Sequence, residues 1–312
     1  MASNLLRLGN NCNQQCLFCT VANDGEKELS GKEARNAIKK IAAHGKTISF
    51  TGGEPTTRKD LAQLLAFAKS SGIETVELQT NALLLGKGQA RRLRAAGLDS
   101  AFVSLHSHKK SVSERLVGRK GTFLKTTFGI RNLIAAGVAT TISHVVTTAN
   151  CNDLREFVRF VEASFPGVRC VYFGLARPNG RCGANRFLVP TLRGIEPQLE
   201  SVFEYCREKK IRFEIEGVPL CYTAGFEEHN AESRRMLEGA VVYIGAGGDM
   251  QDIHRKGLAF TKAKGAQCTL CNLGRLCPGV WKEYAEIHGT LELFPQYTDA
   301  KAIEAKIRGL AE

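Results

Sequence analysis

The chain has 312 residues, 43% of them apolar, enough to bury a large core as one domain with an appendage or as two domains. No apolar run approaches the length of a membrane span, and no charged segment, apolar stretch and cleavage site open the chain, so neither a membrane-spanning nor an exported protein is expected. Net charge is +12, a balance that can steer an anionic nucleotide, nucleic acid or peptide. No helix-turn-helix pattern or interleaved aromatic platform accompanies that charge, and specific nucleic-acid binding is not expected.

In chain order, β-branched and apolar runs predict strands over Asn4–Leu8, Thr47–Phe50, Thr75–Gln79, Ala101–Leu105, Ala139–Val146, Cys170–Phe173 and Arg212–Ile215. Amphipathic stretches between them predict helices over Gly31–His44, Lys59–Ser71, Lys87–Ala96, Thr122–Ala136, Asp153–Ser164 and Thr191–Lys209. Ser30 opens the first helix, and Gly72, Gly97 and Gly137 follow the ends of later ones. Strands alternating with helices imply βαβ units, a parallel sheet and right-handed crossovers. Periodicity does not choose between an open sheet and a closed barrel. After about Glu216 the pattern changes, and Ile244–Gly265, rich in Gly at first and then basic through His254, Arg255, Lys256, Lys262 and Lys264, reads as a mobile surface loop.

Eleven cysteines would mean disulfides in a small secreted protein, but here several fall in metal-ligand spacings, and a reducing cytoplasm is the expected compartment. Cys12-Asn-Gln-Gln-Cys16-Leu-Phe-Cys19 supplies three thiolates, one fewer than an ordinary iron–sulfur cluster takes, leaving one iron open to a non-protein ligand. A structural zinc site would want a fourth Cys or His nearby, and a ferredoxin-type carrier would close the cluster with four thiolates. Further along stands Thr51-Gly52-Gly53-Glu54-Pro55, whose glycines allow close backbone approach and whose Glu54 and Pro55 turn the chain out of a strand.

Together these runs, with Phe18 just before the last cysteine, resemble the radical S-adenosylmethionine (SAM) superfamily from roughly Asn4 to Ile215. The resemblance implies a partial (β/α)6 barrel with a 4Fe–4S cluster on Cys12, Cys16 and Cys19, and SAM at the C-terminal ends of the strands. It implies that Gly52 and Gly53 approach the methionine amine. It assigns SAM contacts to Gly52, Gly53, Glu54, Thr80, Asn81, Ser104 and, for the methionine carboxylate, Arg115, with Arg119 as the alternative. Ser143 and His144 are placed for the ribose, and His106 and His108 are candidates for substrate contact or proton transfer beside the reading of plain surface histidines.

Near the end, Cys268-Thr-Leu-Cys271 and Cys277, with the earlier Cys221, provide four further thiolates. This part resembles the SPASM and Twitch auxiliary-cluster extensions, and because no cysteine follows Cys277 it implies one auxiliary 4Fe–4S cluster, Twitch-like; zinc is the competing metal. Cys151, Cys170 and Cys206 read as core thiols, and Cys182 as one near the rim of the site.

The expectation is thus a cytoplasmic α/β enzyme, with a radical SAM partial barrel over residues 1–216 and an auxiliary-cluster domain over residues 217–312. It would cleave SAM to a 5′-deoxyadenosyl radical that takes hydrogen from a peptide or small-molecule substrate, for which the net charge of +12 suits an anion, with a flavodoxin- or ferredoxin-type reductant and no membrane partner. The chain begins a few residues before its first strand, so no N-terminal leader-peptide-binding or cobalamin domain is expected. The reading from another class is a non-catalytic iron–sulfur electron carrier or maturation scaffold.

Overall fold

Ser30 and Glu33 cap one another at the first helix: the Ser30 hydroxyl accepts from the Glu33 N–H at 3.3 Å, and the Glu33 carboxylate accepts from the Ser30 N–H at 2.7 Å. From that cap, helix α1 (Gly31–Ala42) turns Ala34, Ala37, Ile38 and Ile41 onto the sheet. The same logic repeats along the chain in this computed structural model, which describes residues 4–22, 25, 27–238, 242–245, 250–252 and 260–309.

Strands β1 (Asn4–Arg7), β2 (Thr47–Thr51), β3 (Thr75–Thr80), β4 (Ser100–Ser104), β5 (Ala139–Val146), β6 (Cys170–Leu175) and β7 (Phe213–Glu216) pair in sequential order, all parallel. The crossovers carry α1, α2 (Leu61–Ser70), α3 (Lys87–Ala95), α4 (Lys110–Leu116), α5 (Phe123–Ala135), α6 (Leu154–Ser164), α7 (Gly180–Ala184) and α8 (Leu192–Lys209). Every strand and helix expected from the sequence is present within a few residues. The short helices α4 and α7 are additions, too brief to leave a periodic signal.

Alternation sorts the sheet into two faces. Ile48, Phe50, Val76, Leu78, Ala101, Val103, Ile142 and Val146 are fully or almost fully buried in the main core. The intervening positions, among them Thr51, Glu77, Gln79, Ser104, Thr141, Ser143, Tyr172, Glu214 and Glu216, form a second and more polar face. A parallel sheet with one helix-packed face and one polar face is an open, partial barrel, whose C-terminal strand ends are the natural place for a site.

The sheet does not stop at residue 216. Strand β8 (Val242–Ile244) pairs in parallel with β1, and β9 (Met250–Asp252) pairs antiparallel with β8, so the later part of the chain extends the barrel at its β1 edge. Ile244 is fully buried in the main core rather than on a surface loop. Lys262, in β10 (Lys262–Ala263), is also buried; His254, Arg255 and Lys256 lie outside the described residues. The rest of the tail comprises α9 (Ala231–Glu238), β11 (Val280–Trp281), which pairs antiparallel with β10, α10 (Lys282–His288) and α11 (Ala300–Gly309).

A buried ionic cluster joins tail to barrel. The Lys262 ammonium lies 2.6 Å from Glu232 and 3.3 Å from the centre of the Trp281 ring, while the other Glu232 oxygen accepts from the Gly217 N–H at 2.9 Å. Arg177, just past β6, lies over the same indole at 4.6 Å and pairs with Glu283 at 2.8 Å. Beside them Arg235 pairs with Glu216 at 2.8 Å, and the Tyr172 hydroxyl donates to Glu216. Such pairs gain little over apolar packing but are costly to break, because a lone charge is left dry. Lys262→Met is therefore expected to cost about 3–5 kcal/mol of folding stability. The double variant with Glu232→Gln, which keeps an acceptor for Gly217, should recover most of it. Denaturant unfolding of the three proteins checks this, and a single variant as stable as the parent would contradict it.

Candidate functional site

After β1 the chain must cross the end of β2 to reach the first cysteine, and it does so over two glycines. A Cβ on Gly53 would lie 2.2 Å from the Asn11 carbonyl oxygen, and one on Gly52, whose φ is +148°, would lie 2.6 Å from the Gly9 carbonyl oxygen. The crossing is fastened by the Gly53 N–H donating to Gly9 at 2.8 Å and the Glu54 N–H donating to Asn11 at 2.7 Å. The backbone that approaches these glycines is the protein's own.

Glu54 is buried and faces inward. Its carboxylate accepts from the Thr56 N–H at 3.0 Å, the Thr56 hydroxyl at 2.5 Å, the Thr80 hydroxyl at 2.7 Å and the Asn81 N–H at 2.7 Å. Burial raises its pKa while these donors lower it. Glu54, Thr80 and Asn81 are thus one hydrogen-bonded unit locking the ends of β2 and β3 together. Asn81 continues the chain of contacts, its side-chain amide donating to the Asn13 side chain at 2.6 Å inside the cysteine loop.

The far side of that loop is held by the turn after α4. Gln15 N–H donates to Val117 at 3.1 Å, Leu17 N–H donates to Leu116 at 2.9 Å, and the Arg119 guanidinium donates to the Asn13 carbonyl. From the β6 side, Arg181 N–H donates to the Cys19 carbonyl at 2.9 Å. Phe18 meets the His106 ring edge-on at 4.5 Å. These ties leave Cys12 exposed and Cys16 and Cys19 half-buried on one loop. Burial, reinforced by the neighbouring Cys19 and Cys12, pushes the Cys16 thiol up to about 12, and burial also raises Cys12. Among the described residues no three His, Cys, Asp or Glu side chains gather around a single-ion position. Three thiols spread along one loop instead suit a cluster, where each thiolate meets a different iron.

The remaining expected residues divide. Ser104 ends β4 directly opposite Ser143 of β5, and both half-buried side chains lie on the polar face. Arg115 is exposed on α4, and it is Arg119, the alternative, that touches the cysteine loop. His144 points the other way, 4.1 Å from Phe157 and 1% exposed, so it is a core histidine rather than a ribose contact. His106 is also buried, its Nδ1 accepting from the Val145 N–H at 3.0 Å; desolvation lowers its pKa to about 3 and holds it neutral. His108 is half-buried, with its ring 6.4 Å from that of Phe160.

In the tail, Cys221, Cys268, Cys271 and Cys277 all line one cavity, together with Lys264 and Phe294. The Leu220 N–H donates to the Cys277 sulfur at 3.4 Å and the Gln296 N–H to the Cys271 sulfur at 3.3 Å. Burial, with Cys277 and Cys268 nearby, pushes the Cys221 thiol up to about 12. Four thiols around one cavity, with backbone N–H groups aimed at two of the sulfurs, form a donor set suited to a second cluster. Cys151, Cys170 and Cys206 are buried as core thiols. Cys182 is fully buried on α7, although its segment abuts the first cysteine loop. Asn13 and Trp281 carry no local sequence signal of their roles, because only folding brings their partners to them.

A family model described as "Radical SAM superfamily" matches residues 6–161, half of the chain, and the protein belongs to that superfamily of enzymes, whose members use a 4Fe–4S cluster and S-adenosylmethionine. It is similar to a "Probable GTP 3′,8-cyclase" of Sulfolobus acidocaldarius, 34% identical over 49% of this chain and 50% of that one. It is also similar to the "Fe-coproporphyrin III synthase" of Methanosarcina barkeri, 33% identical over 48% of this chain and 38% of that one. The chain thus spans about half the length of the curated relatives it matches. Among solved structures, SuiB of Streptococcus suis bound to S-adenosylmethionine matches with a TM-score of 0.67 at 18% identity, over 94% of this chain and 76% of that one. The anSMEcpe structure with bound AdoMet matches with a TM-score of 0.65 at 16% identity, over 99% of this chain and 96% of that one. These two likenesses establish the fold. No helix among the described residues is long and apolar enough to cross a membrane.

Two outcomes follow from this geometry. Gly53→Ala must displace the Asn11 carbonyl and with it the cysteine loop, so iron retention after reconstitution should fall at least severalfold; retention at the parent level would show that the crossing tolerates a Cβ. For His106 the folded pKa is depressed, so the unfolded chain takes up the proton first, and stability should fall as pH drops from about 6.5 toward 3, by up to about 1.4 kcal/mol per pH unit for this one imidazole. His106→Leu should add a pH-independent penalty from the unpaired Val145 N–H and flatten that slope by one proton's worth. Denaturant midpoints at pH 7, 6 and 5 on iron-free protein separate the two effects, and an unchanged slope would contradict the assignment.

Proposed function

We propose that this protein reductively cleaves S-adenosylmethionine to a 5′-deoxyadenosyl radical, which takes a hydrogen atom from a peptide or small-molecule substrate held against the polar face of the barrel. The observation that carries the reading is the cysteine loop seated over Gly52–Gly53 and fastened to Asn81 at the C-terminal strand ends. When bound, the cluster and SAM supply the electron and the radical.

The chain's own residues have three tasks. Cys12, Cys16 and Cys19 would hold a 4Fe–4S cluster with three thiolates, leaving one iron for S-adenosylmethionine. Gly52, Gly53, Glu54, Thr80, Asn81 and Ser104 shape and orient the SAM pocket, with Glu54 acting through the positions of Thr80 and Asn81. An arginine after β4, Arg115 or Arg119, is offered to the carboxylate, and the position of Arg119 against Asn13 favours it.

In the tail, Cys221, Cys268, Cys271 and Cys277 hold an auxiliary 4Fe–4S cluster that relays an electron or binds substrate. Residues 1–216 then form the catalytic barrel and residues 217–312 a Twitch-like domain, partly built onto the barrel through β8 and β9. A flavodoxin- or ferredoxin-type protein supplies electrons, and the cytoplasm supplies the reducing setting. A bare electron carrier would have no use for a SAM pocket built from Gly52–Pro55 and Ser104.

Reconstituted protein with dithionite should convert SAM to 5′-deoxyadenosine and methionine, and should carry about eight irons per chain, four for each cluster. Replacing Cys12, Cys16 and Cys19 by Ala should abolish cleavage, halve the iron and leave the tail cluster's spectrum unchanged by SAM. Cleavage by the triple variant would sink the SAM assignment, and zinc in the tail would sink the relay.

A further inference from the structure

The net positive charge is concentrated beside the first cysteine loop. From Lys109 to Arg131 the sequence holds seven Lys and Arg against one acid, Glu114. All seven are exposed: Lys109, just before α4, pairs with Asp153 at 2.7 Å, and Lys110, Arg115, Arg119, Lys120, Lys125 and Arg131 lie on α4, α5 and the turn between them. Helix α3, which packs on α5, adds the exposed Lys87, Arg91 and Arg92, while its Arg94 is paired with Asp99 at 3.5 Å. The patch has an apolar centre: Leu124 and Phe128, one turn apart on α5, are 55% and 58% exposed, and Leu84 is 48% exposed on a loop tied to α5 by the Asn132 amide donating to Leu85 at 2.9 Å. A few large apolar residues rimmed by one sign of charge mark an interaction surface, since nothing in the fold requires their exposure.

The place of the patch says what it serves. Its edge is the turn that holds the cysteine loop, through Leu116 and Val117 to Leu17 and Gln15, and through Arg119 to Asn13. A protein docked there sits against the backbone of the first cysteine site and clear of the polar barrel face.

We propose that the α3–α4–α5 face docks a small acidic one-electron carrier protein that reduces the cluster on Cys12, Cys16 and Cys19. This rests on the function proposed above. In the step, one electron leaves the carrier, which is oxidised by one, and enters the cluster, which is reduced by one; no bond is made or broken. Charge complementarity favours this occupant: opposite fields speed encounter, and carrier complexes use small, transient interfaces with a modest apolar centre.

The test compares two reductants on the reconstituted full chain. With dithionite, the parent, Lys120→Glu/Lys125→Glu and Leu124→Ser/Phe128→Ser should cleave SAM at equal rates. With reduced flavodoxin or reduced ferredoxin, the charge-reversed protein should be at least about tenfold slower at low salt, the difference shrinking as salt is raised. The apolar variant should bind the carrier more weakly with less salt dependence. A control, Lys209→Glu/Lys210→Glu, at the opposite end of the barrel, should behave as the parent. Carrier binding to immobilised iron-free protein gives a readout independent of turnover, and the same charge reversal should weaken it.

If the parent fails to cleave SAM even with dithionite, the proposed function falls, and the docking proposal with it. If dithionite works but neither carrier reduces the parent, or both carriers serve the variants equally well, the docking surface alone is overturned. Loss of binding to a single-stranded RNA oligomer, with carrier reduction intact, would overturn it in favour of a nucleic-acid surface.

Discussion

The site depends on one close approach: the chain leaving β1 crosses the end of β2 with no room for a Cβ on either Gly52 or Gly53. Two backbone hydrogen bonds fix the crossing, and the next residue, Glu54, sends its carboxylate sideways to bind Thr80 and Asn81. The strand ends and the cysteine loop are therefore positioned by each other. The geometry of the site rests on backbone contacts and one fully engaged carboxylate.

The second constraint is the division of the sheet into a dry face and a wet one. The helix-packed face takes Ile, Val, Leu and Phe and pulls in even His144, against Phe157, while His106 is buried against Phe18 of the cysteine loop; both stay neutral because charging them there would cost their hydration. The other face keeps hydroxyls, amides and carboxylates, with Ser104 beside Ser143 and Tyr172 beside Glu216. The cysteine loop follows β1, at the C-terminal end of that sheet.

The tail is not a separate bead on the chain. Its strand β8 continues the barrel sheet, its Trp281 and Tyr284 enter the main core, and its Lys262 is buried against Glu232 and the indole. The two cysteine sites are bridged by the segment after β6, which meets Trp281 through Arg177 and the Cys19 carbonyl through Arg181. A packed, charged segment rather than a flexible linker therefore lies between the two sites.

Sequence alone determined the strand and helix order, because burial on one face imposes a period that a reader can count, and it marked both sets of cysteines, because ligand spacing is local. It could not distinguish His106 as core from His106 as site, since exposure depends on what packs above it. It read Lys262 as a loop cation because its partners, Glu232 and Trp281, are distant in the chain. Only the tertiary structure showed that the Gly-Gly pair accommodates the protein's own backbone, that Arg119 rather than Arg115 reaches the loop, and that Cys221 joins three cysteines some fifty residues away around one cavity. The physical reason is the same in each case: a spacing records what neighbours in the chain do, whereas close approach, desolvation and charge pairing are set by residues that meet only when the chain has folded.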